Sequence, residues 1–422
     1  MRKWQNLSDH LYFFNYYFFR VVEKIFYPFN LFLALVFVFI IRIVSPILII
    51  RWSRLSTARI GVCVEELDIY CNAKKSKIGM PTKPFVDIFY LARAVCNKQM
   101  AKMLKRNLFC LPSMFMHQVD NVNVFCERFF PSNNLHEIGL ENYSRDKNNF
   151  FEKYQNSSIP FTKKEIIKGN KLLKEMGISN NEKYVCLAVR DSKYLSFYYP
   201  NVDYSEHNHR NFEIEKFNDA ITNLANKGYY VLRMGKKVSS KLNLQNPKVI
   251  DYANSKFRSD FMDFFLMANC FFCISTVTGI DSVAMIFRRP ILEISVSFYE
   301  IRTYSKNFMA LPKVFYSNKL KRNLTYREII DYKLYQVYKS ADFKSRNIQP
   351  KQTDSDEIKR ACDDMIEYLT NENEYIKKNN LVFDKFWGIF SKQNKESYNK
   401  NHGLIKSTLS KTFLNNNTNL LK

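Results

Sequence analysis

Apolar residues dominate the region near the start of the chain. Residues 29–50 read FNLFLALVFVFIIRIVSPILII, and this run is interrupted only by Asn30, Arg42, Ser45 and Pro46. About 20 apolar residues is the length that a helix needs to cross the hydrocarbon of a bilayer. We therefore expect residues 1–57 to form a membrane-associated anchor segment.

The apolar run is compatible with a spanning or a re-entrant anchor. A charge at the position of Arg42 costs about 2.5–3.5 kcal/mol on insertion scales, and Ser45-Pro46 breaks the helical pattern. The preceding segment, residues 11–27, is aromatic and basic, as an interfacial helix would be. Basic residues flank both ends of the run, so charge does not define a topology. A cleaved signal peptide does not fit, because the run is too long and starts too late. A buried helix of a soluble protein is the alternative.

Short apolar stretches alternate with amphipathic ones after residue 57, which is typical of α/β layers. We assign residues 58–178 to an N-terminal Rossmann-like half with its linker. Its expected elements are a strand at ARIGVCV (58–64), a helix at about 85–106, a strand at LFCLP (108–112), and a helix that starts with a Thr162/Glu165 capping box and ends before Gly177.

The pattern from about Glu182 to Ser295 predicts an open parallel sheet, again of Rossmann type. Its strands are KYVCLAVRD, YVLRMG, KVIDYA, FFCISTVTG and ILEIS, with helices between most of them. We assign residues 179–345 to this half and residues 346–391 to C-terminal helices. The Lys/Asn-rich residues 392–422 are expected to be disordered.

Composition limits the classes of partner. The chain has 422 residues, of which 46% are hydrophobic, enough for two domains with cores, and its formal net charge is +24. Such a charge suits an anionic neighbour: a phosphate-bearing substrate, an acidic lipid surface or nucleic acid. No arginine-rich arm or zinc-finger spacing favours nucleic acid. Nine irregularly spaced cysteines indicate reduced thiols, and thus a cytosolic catalytic domain.

Polar residues follow four of the predicted strands, and ligands of such sheets bind beyond the carboxyl ends of the strands. The turn in ISTVTG would offer backbone N–H groups and hydroxyls to an anion, although any one hydroxyl could simply cap a helix. In combination with two strand-end arginines, it favours phosphate binding. The candidates are Arg190 and Asp191, Arg233 and Gly235, Asp251, and Ser275, Thr276, Thr278 and Gly279.

The segment SEHNHRN, residues 205–211, has three interpretations. A metal site lacks a third ligand at a motif spacing, and a solvated polar loop is the alternative without function. We favour a substrate loop, because the segment follows a strand end and precedes a helix. Arg210 would bind pyrophosphate, Asn211 would fix the turn or cap the helix, and His207 or His209 would contact sugar or acceptor hydroxyls.

Several segments resemble a bacterial family of GT-B glycosyltransferases associated with surface carbohydrate. They are VCLAVRDSKYL, HNHRNFEI, GYYVLRMG, VIDYA, SDFMDFFLMANCFFCISTVTG and FRRPI, and the resemblance extends from about Ala58 to Leu369. More distantly, the VR strand end and the ISTVTG turn resemble fucosyltransferases and heptosyltransferases. The chain departs from the family pattern at Val62, where the family has a histidine.

The resemblance implies an α/β, GT-B-like protein with two Rossmann-like halves, preceded by the hydrophobic membrane segment. It would be a glycosyltransferase at the inner membrane, with its catalytic domain in the cytoplasm. It would move a sugar from a nucleotide-sugar co-substrate to a surface-glycan or lipid-linked acceptor, without another cofactor or a metal. Arg190, Arg210 and Arg233 would bind the diphosphate. Asp68 matches an acidic family position and is the favoured base, with Asp191 and His207 as rivals.

Other interpretations stay open or are set aside. A catalytically inactive, carbohydrate-binding or scaffold protein is the main alternative, supported by Val62, whereas nucleic-acid binding rests on charge alone and predicts steep salt dependence. Asp354-Ser355-Asp356 looks like a metal-binding triplet but is expected to cap a helix. The CxxC pair at residues 270–273 lacks the second pair that a zinc site needs.

Overall fold

The computed structural model describes residues 25–298, 300–337 and 339–422. These residues form two compact units. The first contains the described residues up to Ser144 together with Ser158–Phe161, and the second contains Arg145–Ser157 and Thr162–Lys422. Most of the aromatic segment predicted to be interfacial, residues 11–24, lies outside the described residues.

The first unit is built on parallel strands. Strands β1 and β2 pair in register from Ile49 opposite Phe85 to Leu55 opposite Leu91. Single parallel bridges join Trp52 to Glu137 and Phe89 to Cys110, so further extended segments lie on both sides. The elements are α1 (Tyr27–Val44), β1 (Ile49–Leu55), α2 (Ile60–Lys75), β2 (Phe85–Leu91), α3 (Lys98–Asn107) and α4 (Ser113–Phe129), followed by a short 3-10 helix (Leu140–Tyr143).

Two predicted elements of this unit are wrong. The segment ARIGVCV is not a strand but the start of α2, because the buried residues Cys63, Val64 and Leu67 recur at helical spacing. The strand lies earlier, at β1, in residues that we had assigned to the anchor. The expected helix at 85–106 begins instead with the β-branched and aromatic strand β2, and its helical part starts at Lys98 after the Asn97 cap.

Helix α1 coincides with most of the expected anchor. It has 18 residues with a mean hydropathy of 2.2, so its length and composition would allow it to cross a membrane. One side of α1 nevertheless belongs to the core of the first unit, where Ala34, Val38 and Ile41 are buried together with Trp52 and Tyr90. A membrane segment is therefore supported only weakly by length and composition.

The second unit contains a seven-stranded parallel sheet in the order β12-β8-β7-β6-β3-β4-β5. The predicted α/β architecture with a parallel sheet is confirmed. The strands are β3 (Tyr184–Ala188), β4 (Tyr230–Arg233), β5 (Val249–Ile250), β6 (Phe272–Ser275), β7 (Ile291–Val296), β8 (Phe308–Pro312) and β12 (Thr408–Leu409). A small antiparallel sheet contains β9 (Phe315–Ser317), β10 (Arg322–Asn323) and β11 (Ile348–Pro350).

Helices connect and cover these strands. They are α5 (Phe150–Lys153), α6 (Lys163–Glu175), α7 (Lys193–Tyr198), α8 (Asn218–Asn226), α9 (Asp260–Asn269), α10 (Asp281–Ile286), α11 (Tyr326–Asp331), α12 (Ser340–Ser345), α13 (Ser355–Thr370), α14 (Glu372–Phe390), α15 (Lys395–Asn401) and α16 (Lys411–Asn416). The Thr162/Glu165 capping box of α6 is confirmed, as is the Asp354 cap of α13. Helix α6, expected in the N-terminal half, belongs to the second unit.

The strand order reverses between β3 and β6. From β3 the chain proceeds to β4 and β5 on one side, and after returning to β6 it proceeds to β7 and β8 on the other side. Loops that leave β3 and β6 therefore diverge, and in open parallel sheets such divergence forms a crevice at the carboxyl ends of the two strands. Open parallel sheets bind ligands at such a switch point.

The prediction that residues 392–422 are disordered is wrong. Strand β12 pairs with β8 through Thr408 opposite Met309 and Leu409 opposite Ala310. Leu409, Phe413 and Leu414 are buried in the core of the second unit. The many Lys and Asn residues of the tail predict disorder, although a short apolar segment lies among them. That segment is buried because it pairs with β8, about 100 residues earlier in the chain.

Replacing a core residue of this segment should destabilise the second unit. Phe413→Ala removes a buried ring, which typically costs about 3–5 kcal/mol, and should lower the urea midpoint of unfolding. Leu404→Ala is the matched control, because Leu404 is 69% exposed and its truncation should change stability by no more than about 0.5 kcal/mol. Equal midpoints for the two variants would show that the tail does not contribute to the core.

Candidate functional site

Arg190 lies at the switch point, just beyond strand β3. Its backbone N–H donates to Thr276 Oγ1 at 2.8 Å, and Thr276 N donates to Ala188 O at 3.2 Å. These bonds tie the end of β3 to the end of β6. Arg190 O in turn accepts a hydrogen bond from Phe212 N at 2.9 Å, so the residues after SEHNHRN are held at the same strand end. Thr276 thus positions Arg190.

The turn after β6 is held by a buried carboxylate. Ser275 Oγ donates to Asp281 Oδ2 at 2.5 Å, and Thr278 N donates to the same carboxylate oxygen at 3.1 Å. Val277, between them, has a φ of 57°, which is rare for a β-branched residue and costs of order 1–3 kcal/mol. Ser275 is fully buried, so its hydroxyl fixes the turn rather than facing a ligand.

A buried arginine balances the charge of Asp281. Arg302 Nη2 donates to Asp281 Oδ1 at 2.8 Å, and its Nη1 lies 3.3 Å from Glu293 Oε1. Burial raises the pKa of Glu293 to about 7 despite Arg302, with Asp281 adding to the increase. This triad lies beneath the turn and supports it. None of its members was among the predicted site residues.

Basic side chains gather above the turn around one acid. Arg210 Nη2 lies 2.7 Å from Glu300 Oε1 and donates to Val277 O at 3.2 Å. Lys313, which directly follows β8, donates from Nζ to His209 O at 3.1 Å. We call Arg190, Arg210, Lys313 and Glu300 the switch-point cluster.

The pKa shifts show that these charges interact in a poorly solvated place. Burial and then Arg210 lower the pKa of Arg190 to about 10. Burial also lowers the pKa of Lys313 to about 8, although Glu300 opposes this change. Burial would raise the pKa of Glu300, but Arg210, Lys313 and Arg145 outweigh it and lower that pKa. With one acid among these cations, the cluster has excess positive charge.

Three buried donors of the site have no hydrogen-bond partner among the described residues. They are Arg190 Nε, Arg210 Nε and Thr278 Oγ1. Leaving a buried polar group unsatisfied costs about 1–3 kcal/mol, more if it is charged. An anion with several acceptor oxygens, such as a diphosphate, would satisfy donors of this kind.

Arg233 serves a different network. Arg233 as a residue is 1% exposed, and its Nη1 donates to Asp251 Oδ1 at 3.4 Å and to Ser240 O at 3.1 Å. Asp191 Oδ2 accepts from Ser239 N at 2.9 Å and lies 4.0 Å from Arg233 Nη2. These contacts fasten the loop that follows β4. The structure places Arg233 and Asp191 in this scaffold, although both lie at predicted strand ends.

Two glycines were predicted at the site. Gly235 has a φ of 151°, and a Cβ there would lie 2.5 Å from Val238 Cγ1, so the residue allows the loop after β4 to fold closely. Gly279 is exposed in the turn after Thr278. Gly235 therefore has a local structural role, whereas Gly279 lies two residues after Val277, whose carbonyl accepts from Arg210.

The segment SEHNHRN forms a 3-10 helix over Ser205–Arg210. His209 Nδ1 lies 3.1 Å from Ser340 Oγ, and burial lowers the pKa of this ring to about 4. Asn211 Nδ2 donates to Asn208 Oδ1 at 3.0 Å and so fixes the turn, as expected. Among the described residues, no three His, Cys, Asp or Glu side chains lie close enough to hold a metal ion.

Asp68 lies in the first unit, inside helix α2. Because ARIGVCV begins this helix and is not a strand, Asp68 does not lie at a strand end. It is 1% exposed, and its carboxylate accepts from Ser158 N at 2.7 Å and from Asn72 Nδ2 at 3.2 Å. These contacts hold a helix to the segment at residue 158.

Sequence reasoning missed Lys313, Glu300 and the Asp281–Arg302 pair. Lys313 follows the apolar strand FMALP just as Arg190 follows VCLAV, so the strand-end rule could have found it. The region from about residue 304 to residue 345 has no clear apolar periodicity, so the sequence alone predicts no strand before Lys313. Glu300 has no local signal, since it lies in the connection after β7.

No family model and no curated protein matches the chain. Among solved structures, it is similar to E. coli ADP-heptose LPS heptosyltransferase II, with 11% identity, 62% of this chain and 90% of the other covered, and a TM-score of 0.38. A glycosyl transferase family 9 protein from Veillonella parvula has 9% identity, 75% and 96% coverage and a TM-score of 0.41. The E. coli heptosyltransferase WaaC with ADP-2-deoxy-2-fluoro heptose has 12% identity, 62% and 92% coverage and a TM-score of 0.32. All three TM-scores lie below 0.5.

Anion binding should weaken as the pH rises through about 8, because protonated Lys313 loses its charge there. Lys313→Met should bind inorganic pyrophosphate roughly 10- to 100-fold more weakly than the parent at pH 7, as expected for one charge-assisted hydrogen bond. By pH 10 the two affinities should converge. Comparing the proteins at each pH by calorimetry cancels the ionisation of pyrophosphate itself.

The control for this titration is Lys319→Met, at an exposed lysine, which should bind like the parent at every pH. A parent-to-Lys313→Met affinity ratio that stays constant from pH 7 to pH 10 would exclude Lys313 from the anion site.

Removing either of two hydroxyl groups of the turn should distinguish a role in protein stability from a role in anion binding. Ser275→Ala removes a partner of buried Asp281 and should destabilise the second unit by about 1–3 kcal/mol. Thr278→Val removes a hydroxyl that has no hydrogen-bond partner within the described part of the chain, so it should leave the unfolding midpoint nearly unchanged but weaken pyrophosphate binding. Parental affinity in Thr278→Val would show that the hydroxyl does not face the anion.

Proposed function

We propose that the protein is a glycosyltransferase that uses a nucleotide-activated sugar, with the donor diphosphate bound at the switch point. One observation carries the proposal. The cations of the switch-point cluster converge beside a strained turn, at the position where an open parallel sheet binds its ligand. The resemblance of the strand-end segments to GT-B glycosyltransferases supports the proposal. As a member of that family, the protein would consist of two Rossmann-like halves.

Sugar transfer leaves negative charge on the departing diphosphate, which must be neutralised. Arg190 and Arg210 supply planar guanidinium groups that match phosphate oxygens, and Lys313 adds a compact charge. Their placement in a poorly solvated crevice makes each contact stronger than it would be in water. With this charge, the site needs no metal. In this proposal Glu300 holds Arg210 until the diphosphate competes for its guanidinium.

The transfer also needs a base that accepts the proton of the acceptor hydroxyl. Among the three predicted candidates, His207 suits this role best. Residues three apart in a 3-10 helix are eclipsed, so His207 and Arg210 project from the same side of their helix. Asp191 is engaged by Ser239, and Asp68 is buried in the first unit.

The wider setting follows from the resemblance and the charge. We propose a surface-glycan or lipid-linked acceptor, the cytoplasmic side of the inner membrane as the location, and no cofactor beyond the donor. Nucleic acid is not an expected partner. The second candidate function is a catalytically inactive carbohydrate-binding or scaffold protein, favoured by Val62, which is 39% exposed near the start of α2 where the family has histidine. Hydrolysis of a nucleotide-sugar by the purified protein would exclude it.

Arg210→Lys tests the proposal. It preserves the charge but loses the fork that binds two phosphate oxygens, so affinity for the nucleoside diphosphate should fall at least about tenfold. A thermal-shift screen of nucleoside diphosphates identifies the nucleobase that the site prefers, and calorimetry with that diphosphate then gives the affinities. The unfolding midpoint without ligand should change little, because Arg210 is partly exposed.

Arg322→Lys is the matched control, since Arg322 pairs with Glu328 on the surface. It should bind the diphosphate like the parent. If the parent binds a nucleoside as tightly as its diphosphate, or if Arg210→Lys and Arg210→Ala retain parental affinity, the proposed donor site is wrong.

A further inference from the structure

Large apolar side chains are exposed on two neighbouring helices of the first unit. We call them the apolar helix surface; they are Phe32, Phe39 and Ile43 on α1, Phe125 and Phe129 on α4, and Phe130 directly after α4, each at least 60% exposed. Apolar surface of this extent on a folded protein marks a contact with another molecule or with lipid. The rings of Phe125 and Phe129 lie with centroids 5.0 Å apart, so they form one patch.

Helix α1 packs against the body of the first unit from Leu31 to Ile41. Ala34, Val38 and Ile41, at helical spacing, are buried in one cluster with Met116 and Val119 of α4. The opposite side of α1 carries the exposed phenylalanines. If α1 crossed a bilayer, α4 would have to enter the hydrocarbon with it, although α4 also carries Asp, Asn, Gln, Glu and Arg residues. The packing therefore favours α1 lying along a membrane surface.

The charge on α1 is neutralised within this helix pair. Arg42 Nη2 lies 2.7 Å from Glu127 Oε1 and donates to Asn123 Oδ1 at 2.9 Å, and Arg42 Nη1 donates to Phe130 O at 2.7 Å. Arg42 thereby links the carboxyl-terminal parts of α1 and α4. Pairing and hydrogen bonding reduce the penalty that an isolated arginine would face beside lipid.

We propose that α1 and α4 together form a monotopic docking surface for an anionic lipid bilayer, with both helices parallel to the membrane plane. The apolar helix surface would enter the headgroup–acyl boundary by about 5–10 Å, as amphipathic interfacial helices do. Phenylalanines supply the buried area, and the net charge of +24 suits the negative lipid surface. A second copy of this chain could cover the same surface, but its own charge of +24 would oppose that association.

The first test is cosedimentation of the full-length protein with vesicles. We expect binding to vesicles that contain phosphatidylglycerol and weaker binding to phosphatidylcholine alone. Phe125→Ser/Phe129→Ser changes only α4 and should weaken binding at least about tenfold, because each lost ring removes buried apolar area. Leu381→Ser/Leu404→Ser is the matched control, since those leucines are 83% and 69% exposed on the second unit; it should bind like the parent.

The second test measures depth. Tryptophan is placed at Phe32, Phe39 or Ile43 in turn, and quenching by lipids brominated at different acyl positions is measured relative to the parent. A helix in the membrane plane gives the same shallow depth at all three positions. A spanning helix would separate Phe32 from Ile43 by about 16 Å in depth.

The proposal is overturned if Phe125→Ser/Phe129→Ser binds vesicles like the parent, or if the quenching depths are graded along α1. It is also overturned if the parent does not bind vesicles but sediments as a dimer, and the same double substitution disrupts that dimer. These measurements need no sugar donor, so they are independent of the proposed transfer reaction.

Discussion

The buried carboxylate of Asp281 is the interaction on which the geometry of the site depends. It accepts hydrogen bonds from Ser275 and from the backbone of Thr278, and Arg302 balances its charge. A buried charge that loses its partner costs about 3–5 kcal/mol, so the three groups form a unit. Because they hold Thr278 in place, the strained residue Val277 keeps its conformation and presents its carbonyl to Arg210.

The position of the switch-point cluster depends on the turn that Asp281 holds. Thr276 binds the backbone of Arg190, and the reversal of strand order places that arginine beside the turn. Burial keeps water away from the cations, which lowers the pKa values of Arg190 and Lys313. The same exclusion of water strengthens their attraction for an anion. Both effects suit the anion site proposed for this cluster.

In the first unit, an ion pair likewise neutralises a charged side chain in an apolar environment. Arg42, awkward in a long apolar run, reaches Glu127 on α4 and is neutralised there. This pairing allows an apolar helix to carry one charge while its exposed side stays free of charge. Polar groups in both units are thus located by partners that lie far away in the chain.

Strand-end reasoning found part of the candidate site. It identified Arg190, Arg210 and Thr278, which the structure brings together, and it also selected Ser275 and Arg233, which the structure uses as internal support. The rule recognises residues near the carboxyl edge of a sheet but not the direction of their side chains. That direction depends on partners such as Asp281 and Asp251, which compete with a ligand for the same donors.

The sequence by itself determined the elements whose causes are local. Apolar periodicity defined strands β3 to β7 of the parallel sheet but neither β8 nor β12, and the caps at Thr162 and Asp354 began their helices as predicted, because these bonds join residues three positions apart. Only the tertiary structure decided that Lys313 and Glu300 meet Arg210, and that the tail adds strand β12. Those contacts join residues about 100 positions apart, and no short pattern encodes the order in which distant strands pair.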